Sequence, residues 1–137
     1  MAIIGSSFTK INAEKKAPAK GKINISNNAS IKSVEEYPLP GKTTQKGLKF
    51  TFGFVSKYEP NIGEINIQGN VILLLEAKKG VEVIANWKKD KKLPKEVMTP
   101  VLNTALTKCN IQALILSRDI GLPPPIPLPK IKTEQKS

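Results

Sequence analysis

Leu48, Phe50, Phe52 and Phe54 take every second position of one stretch, and Ile65, Ile67, Val71, Leu73 and Leu75 repeat the pattern in the next. Such residues can be buried together only if alternate side chains point the same way, which is the geometry of a β-strand. The two stretches, about Leu48 to Tyr58 and about Glu64 to Ala77, therefore read as strands joined by a turn at Glu59-Pro60-Asn61-Ile62-Gly63. Proline fixes one φ there, and asparagine and glycine tolerate the positive φ of a tight turn. Gly69 marks a bulge or bend in the later strand. An earlier strand is expected from Lys22, where Ile23, Ile25, Asn27, Ala29 and Ile31 alternate with polar neighbours, followed by a loop over residues 36–47. A fourth is expected from Val81 to Trp87, after a Lys78-Lys79-Gly80 hairpin, with Val81, Val83, Ala85 and Trp87 on one face.

The period then changes. Thr99-Pro100 suits a helix start, since threonine can cap and proline fits the first helical position. Leu102, Ala105, Leu106, Cys109, Ala113 and Leu116 form a stripe at helical spacing, and Gly121 can close the helix. Residues 122–129 are so rich in proline that only an extended chain is possible. The expected fold class is α+β: a four-stranded antiparallel sheet, one long helix and an extended proline-rich crossover segment. Residues 1–21 read as a flexible basic segment, 22–131 as a single domain and 132–137 as a frayed tail. One helix covers one sheet face, yet Ile72, Leu74 and Ile84 point away from their strand-mates; a second copy of the chain would cover them, giving a dimer or tetramer.

With 137 residues there is room for one domain and one modest core. The longest apolar run, Val71 to Leu75, is too short to span a membrane, the N-terminus lacks the pattern of a secretory signal, and one cysteine permits no internal disulfide. A cytoplasmic location is expected. Histidine is absent, which removes the commonest general base and metal ligand. Neither a metal site nor a phosphate-binding glycine loop is legible, so the sequence points to no cofactor and to binding rather than catalysis. Cys109 lies on the apolar helix stripe, where free thiols are inert.

Three features carry the functional reading. The row Phe50, Phe52 and Phe54 is either core packing or the lining of an apolar groove for extended peptide. Lys88, Lys89, Lys91, Lys92 and Lys95 form either a solvated loop or a patch for an anionic partner such as RNA or an acidic protein. Pro124-x-x-Pro127 lies in a stretch where Ile126, Leu128 and Ile131 alternate, which suits packing against the same protein. Net charge is +11, and all basic residues but Arg118 are lysine. Lysine is a point charge without the fork that reads base edges, so any nucleic-acid binding would be non-specific.

The order of elements, together with Ile115-Leu116-Ser117-Arg118-Asp119, Ile120-Gly121-Leu122-Pro123 and Pro125-Ile126-Pro127-Leu128, resembles the SecB protein-export chaperone family. The resemblance implies a homotetramer that holds unfolded polypeptides in apolar grooves without ATP. By position, Phe50, Phe52, Phe54, Trp87, Ile126 and Leu128 would line such a groove. Two departures stand out: familiar members are acidic and use that charge to dock a translocation motor, and no second helix is legible after the proline-rich segment. The alternative reading is a basic accessory protein of RNA or the ribosome.

Overall fold

The computed structural model describes residues 1–41 and 44–126. Four long strands, β1 (Ala2–Lys15), β2 (Asn24–Tyr37), β3 (Gln45–Glu59) and β4 (Gly63–Glu76), precede two helices, α1 (Ala77–Asp90) and α2 (Lys95–Asp119). The strands form one antiparallel sheet in the order β1-β4-β3-β2. The α+β class and the four-stranded sheet followed by a long helix are as the sequence predicts. Membership of the sheet is not.

The expected fourth strand, Val81–Trp87, lies inside α1, and the fourth strand is β1. Positions 81, 83, 85 and 87 alternate, but 80, 83, 84 and 87 also recur at helical spacing. Gly80, Val83 and Trp87 are the buried face of α1. Gly80 is not a hairpin residue: a side chain there would collide with Lys46. Residues 2–15 of the segment expected to be flexible are paired along their length with β4. The chain from Lys16 to Ile23 then crosses the end of the β3–β4 hairpin, where the Lys16 N–H donates to the Ile62 carbonyl at 2.7 Å, and enters β2 on the far edge.

The alternation in β3 and β4 has the expected consequence. Leu48, Phe50, Phe52, Phe54 and Tyr58 share one face with Ile65, Ile67, Val71, Leu73 and Leu75, and all are buried under the helices. The opposite face runs in cross-strand rows such as Ser33-Thr51-Asn70-Ser7 and Asn28-Val55-Asn66-Asn12. Ile72 and Leu74 do lie on that face, half-buried, but most of their neighbours are polar, so it can face water without a covering layer. Ile84 belongs to a helix and adds nothing to it.

The long helix begins earlier than Thr99-Pro100. Pro94 is its N-cap, its carbonyl accepting from the Val97 and Met98 N–H groups at 3.0 and 2.9 Å, and Pro100 sits inside. Its buried residues are Val97, Val101, Ala105, Cys109, Ala113 and Ser117, each four positions on. A row with that spacing winds around the helix, so α2 crosses the sheet obliquely. The small side chains from Ala105 onward let it lie close. Gly121, at φ 71°, ends the helix: the Leu122 N–H reaches back to the Ser117 carbonyl at 2.8 Å and the Gly121 N–H to that of Arg118 at 3.3 Å.

Candidate peptide-binding surface

The aromatic row is core. Phe50, Phe52 and Phe54 are 0, 2 and 1% exposed, enclosed between the sheet and the helices, and none opens onto a groove. Trp87 is nearly buried on the inner face of α1, with the Lys91 ammonium 5.4 Å from its ring centre. Ile126 is half-buried at the end of the described chain, and Leu128 lies outside the described residues. Four of the six side chains assigned to a groove, Phe50, Phe52, Phe54 and Trp87, are therefore members of one enclosed core.

What it brings together instead is the extended chain after α2 and the lower end of the sheet. Leu122 and Pro125 are buried. The Tyr58 hydroxyl donates to the Pro123 carbonyl at 2.7 Å, and Asn27 Nδ2 donates to the Pro125 carbonyl at 2.8 Å. Ser56 Oγ in turn donates to Asn27 Oδ1 at 2.7 Å, which orients that amide. Residues 122–125 thus pass across β3 and β2, and the packing of this segment against its own protein holds as far as it is described. Burial pushes the Tyr58 phenol up to about 12, against a smaller opposing effect of the Ser56 side chain, so it stays a donor at ordinary pH.

Beside this segment an apolar groove of about 460 Å³ opens, lined by Leu114, Ile115, Ser117, Arg118, Leu122 and Pro124. Ile111, one turn earlier on α2, is 57% exposed and Ile115 is 39% exposed. With Leu114 they make an apolar strip on the outer side of α2 that nothing in the chain covers among the described residues. The sequence held the signal: Ile111, Leu114 and Ile115 widen the helix stripe beyond one face. The two outer strands, β1 and β2, also each pair on one side only. An edge of that kind can accept a further extended chain.

The lysine patch gathers at the corner between the helices. Lys88 and Lys89 close α1, where positive charge meets the negative end of the helix dipole. Lys91 is the C-cap with φ 59°, Lys92 follows with its N–H on the Asp90 carboxylate at 3.2 Å, and Lys95 opens α2. All five are exposed. The ion pair joining the two helices lies elsewhere, between Lys79 and Glu96 at 2.6 Å, and that carboxylate holds the Lys79 ammonium above the usual lysine range.

Cys109 is buried on the inner face of α2, and burial pushes its thiol up to about 11, so it is no nucleophile in the folded protein. Among the described residues no three His, Cys, Asp or Glu side chains are placed to hold a metal ion. No helix among them is long and apolar enough to cross a membrane.

A four-stranded antiparallel sheet with two helices on one face, the second long and ending in an extended segment, defines an α+β fold. One solved structure with it is the SecB-like chaperone of Mycobacterium tuberculosis in complex with a ChAD peptide from the HigA1 antitoxin. The TM-score is 0.53 at 10% sequence identity, covering 95% of this chain and 90% of that one. No protein-family profile and no curated protein matches the sequence. The likeness is one of fold.

Proposed function

We propose that the protein is an ATP-independent, SecB-like holder of unfolded or extended polypeptide, working in the cytoplasm as a dimer or tetramer, without cofactor and without catalysis. The observation that carries this reading is the apolar groove between the end of α2 and residues 122–124, on a fold shared with a chaperone solved with a peptide bound. Extended polypeptide offers apolar side chains for the groove and free backbone groups for a sheet edge. The site moves from the aromatic row, which is core, to side chains that reach solvent.

The test is titration of a labelled, permanently unfolded polypeptide, followed by fluorescence anisotropy. Leu114→Ser with Ile115→Ser removes two apolar walls, each worth about 1–2 kcal/mol if buried by the ligand. Binding weakened about tenfold or more in a folded variant supports the groove. Unchanged binding places the site elsewhere. Apolar binding survives added salt. The five-lysine corner favours a second reading, RNA association, which predicts affinity falling steeply as salt rises; a labelled RNA that fails to bind at low salt removes it.

A further inference from the structure

A second hollow lies at the other end of the molecule, between α1 and the turn end of the β2–β3 hairpin; its α1 part is apolar and its hairpin part mainly polar. On the hairpin side it is lined by Tyr37 and Leu39, and on the helix side by Val81, Ile84 and Ala85. It consists of two parts, about 370 and 300 Å³, which share Glu36 and Lys46 as a common wall. Those two side chains neutralise each other, Lys46 Nζ lying 3.2 Å from Glu36 Oε2. Val81 is 56% exposed on the helix rim and Tyr37 is exposed on the hairpin.

Beyond that ion pair, charge enters from the helix side. Lys88 lines the α1 side, one helical turn beyond Ala85 and Ile84, and Lys89, Lys91, Lys92 and Lys95 follow at the helix corner. Asp90 is the one carboxylate within that run. An apolar wall with Lys88 on its rim and further exposed lysines following in the chain is complementary to a segment with apolar residues followed by acidic ones. A basic flank would bring like charges together there.

We infer that this hollow is a second polypeptide subsite, selective for apolar segments flanked by Asp or Glu. The inference rests on the peptide-holding function proposed above and assigns that function a client class. The side chains favour peptide over nucleic acid. The hollow offers apolar walls but no free aromatic platform beyond Tyr37, since the face of Trp87 is already taken by Lys91. Lysine, unlike arginine, imposes no fixed bidentate geometry, which suits carboxylates on a mobile chain.

The experiment uses two labelled peptides with one shared apolar core, one ending in three glutamates and one in three lysines, titrated into the full chain. The acidic peptide is expected to bind about tenfold tighter at low salt, as three exposed ion pairs of modest strength would give. That ratio should shrink toward one at high salt and in Lys88→Gln/Lys89→Gln/Lys92→Gln, whose substitutions lie on the surface. Val81→Ser should weaken the acidic peptide several-fold, because it removes an apolar wall. Equal affinity for both peptides, or preference for the basic one, overturns the inference while leaving the holding function intact. Binding of neither peptide overturns both. Homopolymeric RNA that displaces the acidic peptide, with a Val81→Ser variant binding the RNA and the peptide like wild type, overturns the inference in favour of a nucleic-acid site.

Discussion

The Tyr58 hydroxyl on β3 donates to the carbonyl of Pro123, 2.7 Å away and 65 positions later in the chain. Proline has no N–H to enter a sheet ladder, so the hydrogen bonds from the sheet to residues 123–125 run to their carbonyls, from Tyr58 and Asn27. One wall of the α2 groove therefore depends on a phenol.

Tyr58→Phe leaves the Pro123 carbonyl without its donor and should cost about 1–2 kcal/mol in denaturant unfolding at neutral pH. It should also change the alkaline limb. The folded phenol sits at about 12 against an ordinary 10.0, so between those values the unfolded chain loses its proton first. Its contribution to stability is full below pH 10 and is lost as pH rises toward 12, on the order of 2–3 kcal/mol. Wild type minus Tyr58→Phe, plotted against pH, should fall across that window; a flat difference would mean the phenol is not shielded.

Gly69 and Phe52 form a second dependent pair. A β-carbon at Gly69 would lie 2.8 Å from Phe52 Cζ and would strike the Ser7 carbonyl oxygen, which is backbone and cannot swing aside. Gly69→Ala should destabilise by about 1–3 kcal/mol, and Phe52→Ala, which empties a core site, by about 3–5 kcal/mol. Urea midpoints check both. Wild-type stability for Phe52→Ala would show that the ring is not enclosed.

This pair also explains what the sequence could and could not disclose. β3 and β4 were legible because strict alternation survives along them, β2 only as far as Ile31, where a register shift interrupts it, and Gly69 rightly marks an irregularity. The extra residue lies on the partner strand, however, between Phe8 and Lys10 of β1, and a second shift falls between Ile3 and Gly5. Each shift moves the apolar residues of β1 out of phase, so Ile3, Phe8 and Ala13, which face the core, do not follow the period of two that marks a strand. α1 shows the converse, since Val81, Val83, Ala85 and Trp87 alternate by coincidence within a helix. Ile84, which breaks the alternation and packs beside Val83, is the mark of a helix. The aromatic row was legible as a buried face, but alternation alone cannot say whether helices or a ligand cover it. The groove beside α2 depends on where residues 122–124 lie, which their proline content leaves open.

Cys109 supplies a probe of that core. Its thiol is buried and pushed up to about 11, so at pH 8 the reactive thiolate is scarce and shielded. Labelling by a thiol reagent should be negligible in the folded protein and complete in denaturant. Rapid labelling of the native chain would mean that α2 opens from the sheet.

The proposed oligomer would rest on different surfaces from those the sequence singles out. The outer sheet face is mostly polar, whereas the Ile111 end of the α2 strip, outside the groove lining, and the open edge of β1, with Ile4 and Ile11 exposed, are apolar and unpartnered among the described residues. Light scattering at low and high salt should give twice or four times the 15.0 kDa chain mass at both, because apolar contacts do not dissolve in salt. Ile111→Glu places a charge in that strip without touching the core, and should lower the mass while the helix signal in circular dichroism stays unchanged. A monomer at both salts would remove the assembly from the proposal and leave each chain with its own two grooves. An oligomer unaffected by Ile111→Glu would assign the contact to β1 instead.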